Sequence, residues 1–145
     1  MSETAWQGYA RTNWVRVSDL EGLKEVAACA GLSIKQDEDN PEFFCLLADV
    51  DNLTGFPSTY YTSMESMESV DFTFDRCIMP YIEIGEVLVV MEIGGQKFDA
   101  ITGYAHAFIR RESGVNNVEL HLDDVYGLAA RAFNVEENDI TEAID

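Results

Sequence analysis

The strongest constraint on the fold is a pair of long apolar runs separated by two glycines. The runs cover residues 86–93 and 97–110, and Gly94, Gly95 and Gln96 stand between them. Apolar runs joined by so short a glycine-rich link predict an antiparallel β-hairpin. Alternation in the second run places small or branched side chains on one face, namely Ile101, Gly103, Ala105, Ala107 and Ile109. Because these side chains are mostly small, we expect a helix to lie close against that face.

Further strands are predicted where apolar runs are bounded by polar turns. They cover residues 12–17, 32–35, 42–49 and 115–122. The run at 42–49 contains Phe-Phe-Cys-Leu-Leu without alternation, which is typical of a strand buried on both faces. Residues 50–61 include Gly55 and Pro57 and are predicted to form an irregular loop.

Two helices are predicted from their end signals. The first starts after Ser18, because Glu21 completes a capping-box spacing, and it ends at Gly31. The other begins near Asp123, where carboxylates suit the positive end of a helix dipole. Its apolar residues are expected to face inward, and they are Val125, Leu128, Ala129 and Ala132.

Residues 64–79 predict a third helix. Apolar residues recur there at helical spacing, namely Met64, Met67, Val70, Phe74, Cys77 and Ile78. Pro80 would end or kink this helix, and Glu65, Glu68 and Asp75 would form an acidic stripe along it. Phe72 does not fit this spacing, and residues 70–74 can instead alternate as a strand.

These patterns predict an α+β fold with a mainly antiparallel sheet of five to six strands and two to three helices on one face. The 145 residues, 47% of them apolar, are enough to bury a core as a single domain over 1–145. Residues 135–145 form an acidic tail, which Ile140 and Ile144 could dock onto the body.

The cysteines and the N-terminus indicate the compartment. Cys29, Cys45 and Cys77 are odd in number and lie in apolar surroundings, so we expect buried, reduced thiols. The first ten residues lack the basic start and apolar run of a signal peptide, and no apolar stretch is long enough to span a membrane. The prediction is a cytoplasmic protein.

Charge is the compositional feature that bears most directly on function. The chain has 27 Asp and Glu against 9 Lys and Arg, a net charge of -18. Such a balance excludes direct binding of nucleic acid and of anionic membranes, because a protein needs clustered Lys and Arg side chains to bind either. Eighteen charges match roughly 30 Å of duplex DNA, and a domain of this length is roughly 38 Å across. The charge per length is therefore comparable to that of DNA.

Metal chemistry finds no support in the spacing of ligands. Asp49 and Asp51 open like a calcium loop, but Thr54 and Tyr60 occupy positions six and twelve, where the loop needs Gly and Glu. No Cys or His pair has zinc-site spacing. No metal and no cofactor is predicted.

Catalytic motifs are equally lacking. The sequence has neither the nucleophile elbow of hydrolases nor a phosphate-binding loop, so no catalytic residue is predicted. Of the two histidines, His106 is expected to be partly buried and hydrogen-bonded, and His121 to meet solvent beside Glu119. A small ligand-binding pocket or enzyme using Tyr104, His106 and Phe108 remains an alternative.

Part of the chain resembles a known group of proteins. The resemblance rests on residues 12–17 with Asp19 and Leu20, on 85–87 and 91–94, on Lys97 and 103–105, and on 122–126. In these segments the chain resembles small proteins carried on plasmids, phages and integrative elements. The resemblance leaves out residues 41–82, and its motifs are structural. It implies a mobile-element setting, in which small acidic proteins often inhibit host restriction or CRISPR nucleases.

The leading hypothesis is a non-enzymatic inhibitor that presents a DNA-like acidic surface to a basic nucleic-acid-binding protein, such as a nuclease or surveillance complex. The partner-binding residues would be Asp37, Glu38, Asp39, Glu42, Glu65, Glu68 and Asp75, acting in place of phosphates. One alternative is an immunity-type partner that recognises a single protein by shape. Another is acidity that serves solubility alone. Phe56, Tyr60 and Tyr61 are candidates either for a homodimer or partner contact or for closing the core.

Overall fold

The computed structural model describes residues 7–48, 56–62, 68–95 and 101–141. In these ranges it contains one seven-stranded antiparallel sheet, a separate two-stranded sheet and three α-helices. The predicted α+β class is confirmed. None of the helices in these ranges is long and apolar enough to cross a bilayer.

The strands are β1 (Gln7–Thr12), β2 (Val15–Arg16), β3 (Leu32–Gln36), β4 (Phe43–Ala48), β5 (Thr59–Tyr61), β6 (Ser69–Asp71), β7 (Val87–Gly95), β8 (Ile101–Arg111) and β9 (Gly114–His121). The helices are α1 (Leu20–Ala30), α2 (Phe74–Cys77) and α3 (Asp124–Phe133), with short 3₁₀ turns at Met79–Tyr81 and Glu137–Asp139. In the main sheet β1 lies between β4 and β7, followed by β8 and β9, while β2 and β3 pair with β4. Strands β5 and β6 form the small sheet.

The strand predicted over residues 12–17 is interrupted by a bulge. Arg11 is opposite Leu47, whereas Val15 is opposite Phe44, so one extra residue is inserted on the β1–β2 side. Asn13 lies in the bulge, and its side-chain amide bonds the Val87 carbonyl and the Val89 amide at 3.0 and 2.8 Å. These bonds attach the interrupted segment to β7.

Helix α1 follows its predicted end signals with one shift. Its N-cap is Asp19 rather than Ser18, and the Asp19 carboxylate accepts the Gly22 amide at 3.0 Å. Gly31 ends the helix in the left-handed conformation, with φ 72°. Leu23 and Ala27 are buried, so α1 covers one face of the sheet.

The helix predicted over 64–79 is wrong. Strand β6 occupies Ser69–Asp71 and pairs with β5, and only Phe74–Cys77 is α-helical. Residues 63–67 lie outside the described part of the chain. Between the end of β6 and the start of α2, the rings of Phe72 and Phe74 meet edge to face at 5.2 Å.

Two loop predictions also change. Thr59–Tyr61 is a strand where an irregular loop was predicted. Gly94 and Gly95, predicted to link the two strands of the hairpin, belong to β7 and pair with Thr102 and Ile101, while Gln96 lies outside the described residues.

The two faces of the main sheet differ in what covers them. One face, here the core face, buries Leu88, Val90 and Phe108 against residues of α1 and of the 79–82 segment. The opposite face, here the back face, carries the small residues Gly103, Ala105 and Ala107. A helix was predicted to lie close against that face, but the large side chains of the face are exposed, namely Met91, Ile93, Val118 and Leu120. The apolar residues of α3 were separately predicted to face inward, and this is wrong because no residue of α3 is buried.

The prediction of buried thiols is confirmed in part. All three cysteines are free thiols, with Cys45 and Cys77 buried and Cys29 only half-buried. In the tail, Ile140 is half-buried next to the Glu137–Asp139 turn, while Ile144 lies outside the described residues.

Candidate protein-binding site

The acidic run predicted to bind a partner forms the connection between β3 and β4. The Asp37 carboxylate accepts the backbone amides of Asp39 and Asn40 at 2.9 and 3.4 Å. The amide of Asp37 donates to the Phe43 carbonyl at 2.9 Å, which closes the connection. Such an Asx-type turn fixes the backbone, so Glu38 and Asp39 project from a defined loop.

Arg16 holds the end of this turn in place. Its guanidinium lies 4.6 Å from the centre of the Phe43 ring, a cation–π contact. The same group is 3.4 Å from Glu42 and 3.6 Å from Glu86. Within the described residues, Glu42 therefore shares its charge with a base, whereas Glu38 and Asp39 are exposed without an ion pair.

The second predicted acidic group is not assembled on one helix. Glu65 lies outside the described residues. Glu68 is exposed immediately before β6, and Asp75 is in the first turn of α2, where its carboxylate accepts the Arg76 amide at 3.0 Å. The acidic stripe expected along a single helix is therefore wrong, although the residues remain candidates individually.

Carboxylates are strongly segregated within the main sheet. Of the 20 carboxylates in the described residues, the strands of this sheet carry only Glu92 and Glu119. Both lie on the core face. Glu92 is opposite Tyr104 and Glu119 is opposite His106, and these two residues of β8 are on the same face of the strand as the buried Phe108. The back face has bases instead, at Arg11, Arg16, Lys35 and Arg111. Acidic groups of the described residues are thus concentrated on turns, helices and sheet margins.

The back face is the surface that the sequence did not reveal. Its cross-strand rows contain large apolar side chains that are about half or more exposed, including Tyr9, Met91, Ile93, Val118 and Leu120. The signal was present in the sequence, because residues 87–91 are apolar at every position and not only at alternate ones. Such a run predicts cover on both faces of a strand.

Tyr104, His106 and Phe108, the residues of the alternative small-molecule site, are each engaged in contacts within the fold. Phe108 is buried in the core, and the His106 ring packs against it at 4.1 Å. His106 bonds Asn117 at 3.0 Å, as predicted for a partly buried histidine. Burial, then a hydrogen bond to Glu92, raises the pKa of Tyr104 well above its usual range. These contacts account for the polar groups of the cluster as parts of the fold.

Two open clefts lie elsewhere. One of about 560 Å³ is beside Tyr60 and Arg76, and one of about 370 Å³ is beside Arg110 and Glu112. Neither includes Tyr104 or His106. Hydrogen bonding to Cys77, with burial, raises the pKa of Tyr60 to about 12, so this phenol is a neutral hydrogen-bonding group near neutral pH. Within the described residues, no three His, Cys, Asp or Glu side chains are grouped to hold a metal ion.

Of the three aromatic residues considered for a dimer contact or for closing the core, Phe56 and Tyr60 pack against the core. Phe56 packs edge to face on Phe74 at 4.9 Å, and Tyr60 on Phe72 at 5.7 Å. Tyr61 is the exposed member of the group.

Comparison with protein-family models, with curated proteins and with solved structures finds no match.

Proposed function

We propose that this chain is a non-enzymatic inhibitor encoded by a mobile element. It presents an acidic, DNA-like surface to a basic nucleic-acid-binding host defence protein of the restriction or CRISPR type. The observation that carries the proposal is the segregation of charge: the main sheet holds two of the 20 carboxylates in the described residues, and the others lie on turns, helices and the small sheet. Concentrated negative charge attracts the groove that normally receives phosphates.

The turn between β3 and β4 provides the most accessible part of that surface. Its backbone is fixed by Asp37, so the carboxylates of Glu38 and Asp39 are held outward at the end of a rigid hairpin. Carboxylates presented in this way accept charge-assisted hydrogen bonds from Arg and Lys, as phosphates do. The bound protein would then lose access to its nucleic acid.

The test immobilises the chain and applies nuclease-treated bacterial lysate at low salt. Bound protein is eluted first with a short DNA duplex and then in salt steps, and each fraction is assayed for DNA binding in a gel shift. If the chain mimics DNA, the duplex should release the captured protein, because duplex and chain compete for the same Arg and Lys side chains. Moderate salt should also release it, because salt screens the attraction between those side chains and the carboxylates of the chain. The free chain must also suppress the gel shift.

The decisive variant is Glu38→Lys/Asp39→Lys, which reverses two exposed charges without removing a contact of the turn. We expect capture to fall about tenfold or more. The matched control, Glu83→Lys/Glu112→Lys, makes the same change in net charge at two other exposed sites. Equal loss in both variants would indicate a general charge effect and would reject the turn as the site.

A partner that resists both the duplex and the salt steps would contradict mimicry. That result would favour the immunity-type alternative, in which one protein is recognised by shape and charge only assists the encounter.

A further inference from the structure

The back face of the sheet is an apolar surface from which carboxylates are excluded. Its rows run across four strands, with Met91 and Ile93 on β7 and Val118 and Leu120 on β9. These four side chains are 50–68% exposed. Between them β8 contributes only Gly103, Ala105 and Ala107, so the surface forms a trough along β8 with walls from β7 and β9. Exposed apolar areas of this extent are typical of protein interfaces.

Larger side chains stand at both ends of this trough. Leu122 lies over Gly103, since a Cβ at position 103 would be 2.9 Å from Leu122 Cδ1. The floor of small side chains ends at Ala107, because Ile109 lies on the same face opposite Val87. A helix of ten residues is about 15 Å long, so it would pack across Ala105 and Ala107 and onto Ile109.

Helix α3 is an amphipathic helix without cover on its apolar side. Val125, Leu128 and Phe133 are 56%, 49% and 74% exposed, and with Ala129 and Ala132 they form one side of the helix. The opposite side faces the Glu137–Asp139 turn, because the Glu137 carboxylate lies 3.7 Å from where a Cβ on Gly127 would stand. The chain therefore has an exposed apolar trough on its sheet and an amphipathic helix whose apolar side is also exposed.

Charge restricts which surface of one copy can meet another. With a net charge of -18 per chain, most surface contacts between two copies would oppose carboxylates. The described strands of the back face contain none, and their charged residues are basic. This is a surface on which two copies can approach without direct repulsion between acids.

We propose that the chain forms a two-fold dimer in which α3 of each copy lies in the β8 trough of the other. Each copy then buries the same two elements, as an isologous interface requires. The partner's α3 covers about 150 Å² of the trough, since a ten-residue helix is about 15 Å long and about 10 Å wide. Each copy also buries its own α3 on the partner, so the projected contact is about 300 Å² per copy. This is smaller than the roughly 800 Å² per partner of a standard interface, so we expect a weak, concentration-dependent dimer.

The first test measures the mass of the purified chain by sedimentation equilibrium across the micromolar range. We expect a species of twice 16.2 kDa. A monomer over the whole range would overturn the proposal. The result does not depend on any host partner, so it leaves the proposed inhibitory function independent.

The second test breaks the two halves of the contact separately. Val118→Glu changes a wall of the trough, and Leu128→Glu changes the helix. Each places a carboxylate in an apolar contact and is expected to raise the dissociation constant of the dimer about 100-fold or more. Val70→Glu is the matched control, since Val70 is also an exposed strand valine, 40% exposed, in the separate small sheet. It should leave the dimer intact.

Mixing the two variants distinguishes this arrangement from a sheet-on-sheet dimer. The Val118→Glu chain keeps its helix and the Leu128→Glu chain keeps its trough, so a mixture can form one intact contact. We expect a mixed dimer tighter than either variant alone. The assignment would be overturned if each variant dimerised as tightly as the wild type, or if mixing the two variants gave no dimer tighter than either variant alone.

Discussion

The backbone amide of Leu46 donates a hydrogen bond to the hydroxyl of Thr12 at 2.9 Å. Thr12 is the last residue of β1 and is only 2% exposed. Its hydroxyl also donates to the Asn13 carbonyl at 2.9 Å, immediately before the bulge. A side chain thus continues the connection between β1 and β4 at the point where the bulge shifts the backbone ladder.

Replacing Thr12 by Val is expected to destabilise the fold by about 1–3 kcal/mol, because the buried Leu46 amide loses its acceptor. Urea unfolding followed by circular dichroism measures the change. Thr12→Ser retains the hydroxyl and should recover most of the hydrogen-bond contribution. If the Val variant were as stable as the wild type, the hydroxyl would have no structural role.

The raised pKa of Tyr104 predicts a loss of stability in alkali. Burial and the neighbouring Glu92 favour the neutral phenol in the folded state, so its pKa there lies above the ordinary value of about 10. The resulting stabilisation is complete below pH 10 and is lost as the pH rises towards the folded-state pKa.

Urea midpoints between pH 8 and pH 11 test this prediction. Stability should fall less steeply with pH above 10 in Tyr104→Phe than in the wild type. Tyr9→Phe, at a position 62% exposed, is the control and should follow the wild-type slope. Parallel slopes for all three chains would show that the Tyr104 phenol is not linked to folding.

The three thiols should react with iodoacetamide in an order set by burial. Cys29 is half-buried and is expected to react first, while Cys45 and Cys77 are buried. Burial raises the pKa of Cys45 despite the nearby charges of Arg11 and Lys35, so less of the reactive thiolate is present. Peptide mapping by mass spectrometry gives the rates. Equal rates in native protein would contradict the burial of Cys45.

Neutralising Arg16 should strengthen capture of basic proteins. Its guanidinium lies 3.4 Å from Glu42 and offsets part of the charge of the acidic turn. With Arg16→Gln we expect capture at low salt to rise about two- to threefold, since an additional carboxylate becomes available. Arg76→Gln makes the same charge change within α2 and serves as the control. A decrease with Arg16→Gln alone would mean that the order of the turn matters more than its charge.

Sequence signals predicted the elements whose causes are local. Gly31 ends α1 because its conformation suits glycine, and the alternation of β8 identifies its two faces correctly. The 64–79 segment failed because its apolar spacing satisfied two periods. Contacts with a distant partner, the Phe72 amide to the Ser58 carbonyl at 2.8 Å, select the strand. Local pattern carries no information on such a pairing.

The candidate surfaces were predictable to different degrees. The turn at Asp37–Asp39 could be placed because its acids, Asn40 and Pro41 form a turn signal within six residues. The back face could be predicted to be apolar from the unbroken run at 87–91, but not to be exposed, since an apolar side chain such as Val118 has the same pattern whether it is covered or open. The inward orientation expected for Val125 and Leu128 failed for that reason.

The central position of β1 has a consequence for how the chain folds during synthesis. On one side, Arg11 of β1 pairs with Leu47 of β4, which is 36 residues further along the chain. On the other side, Thr12 pairs with Val90 of β7, which is 78 residues further along. At roughly 5–20 residues per second, a ribosome needs roughly 4–16 seconds to produce that second neighbour. During that interval β1 has an open hydrogen-bonding edge, which is a site for mispairing between nascent chains. Slower translation would lengthen this exposure, and a chaperone that binds extended segments would shield it.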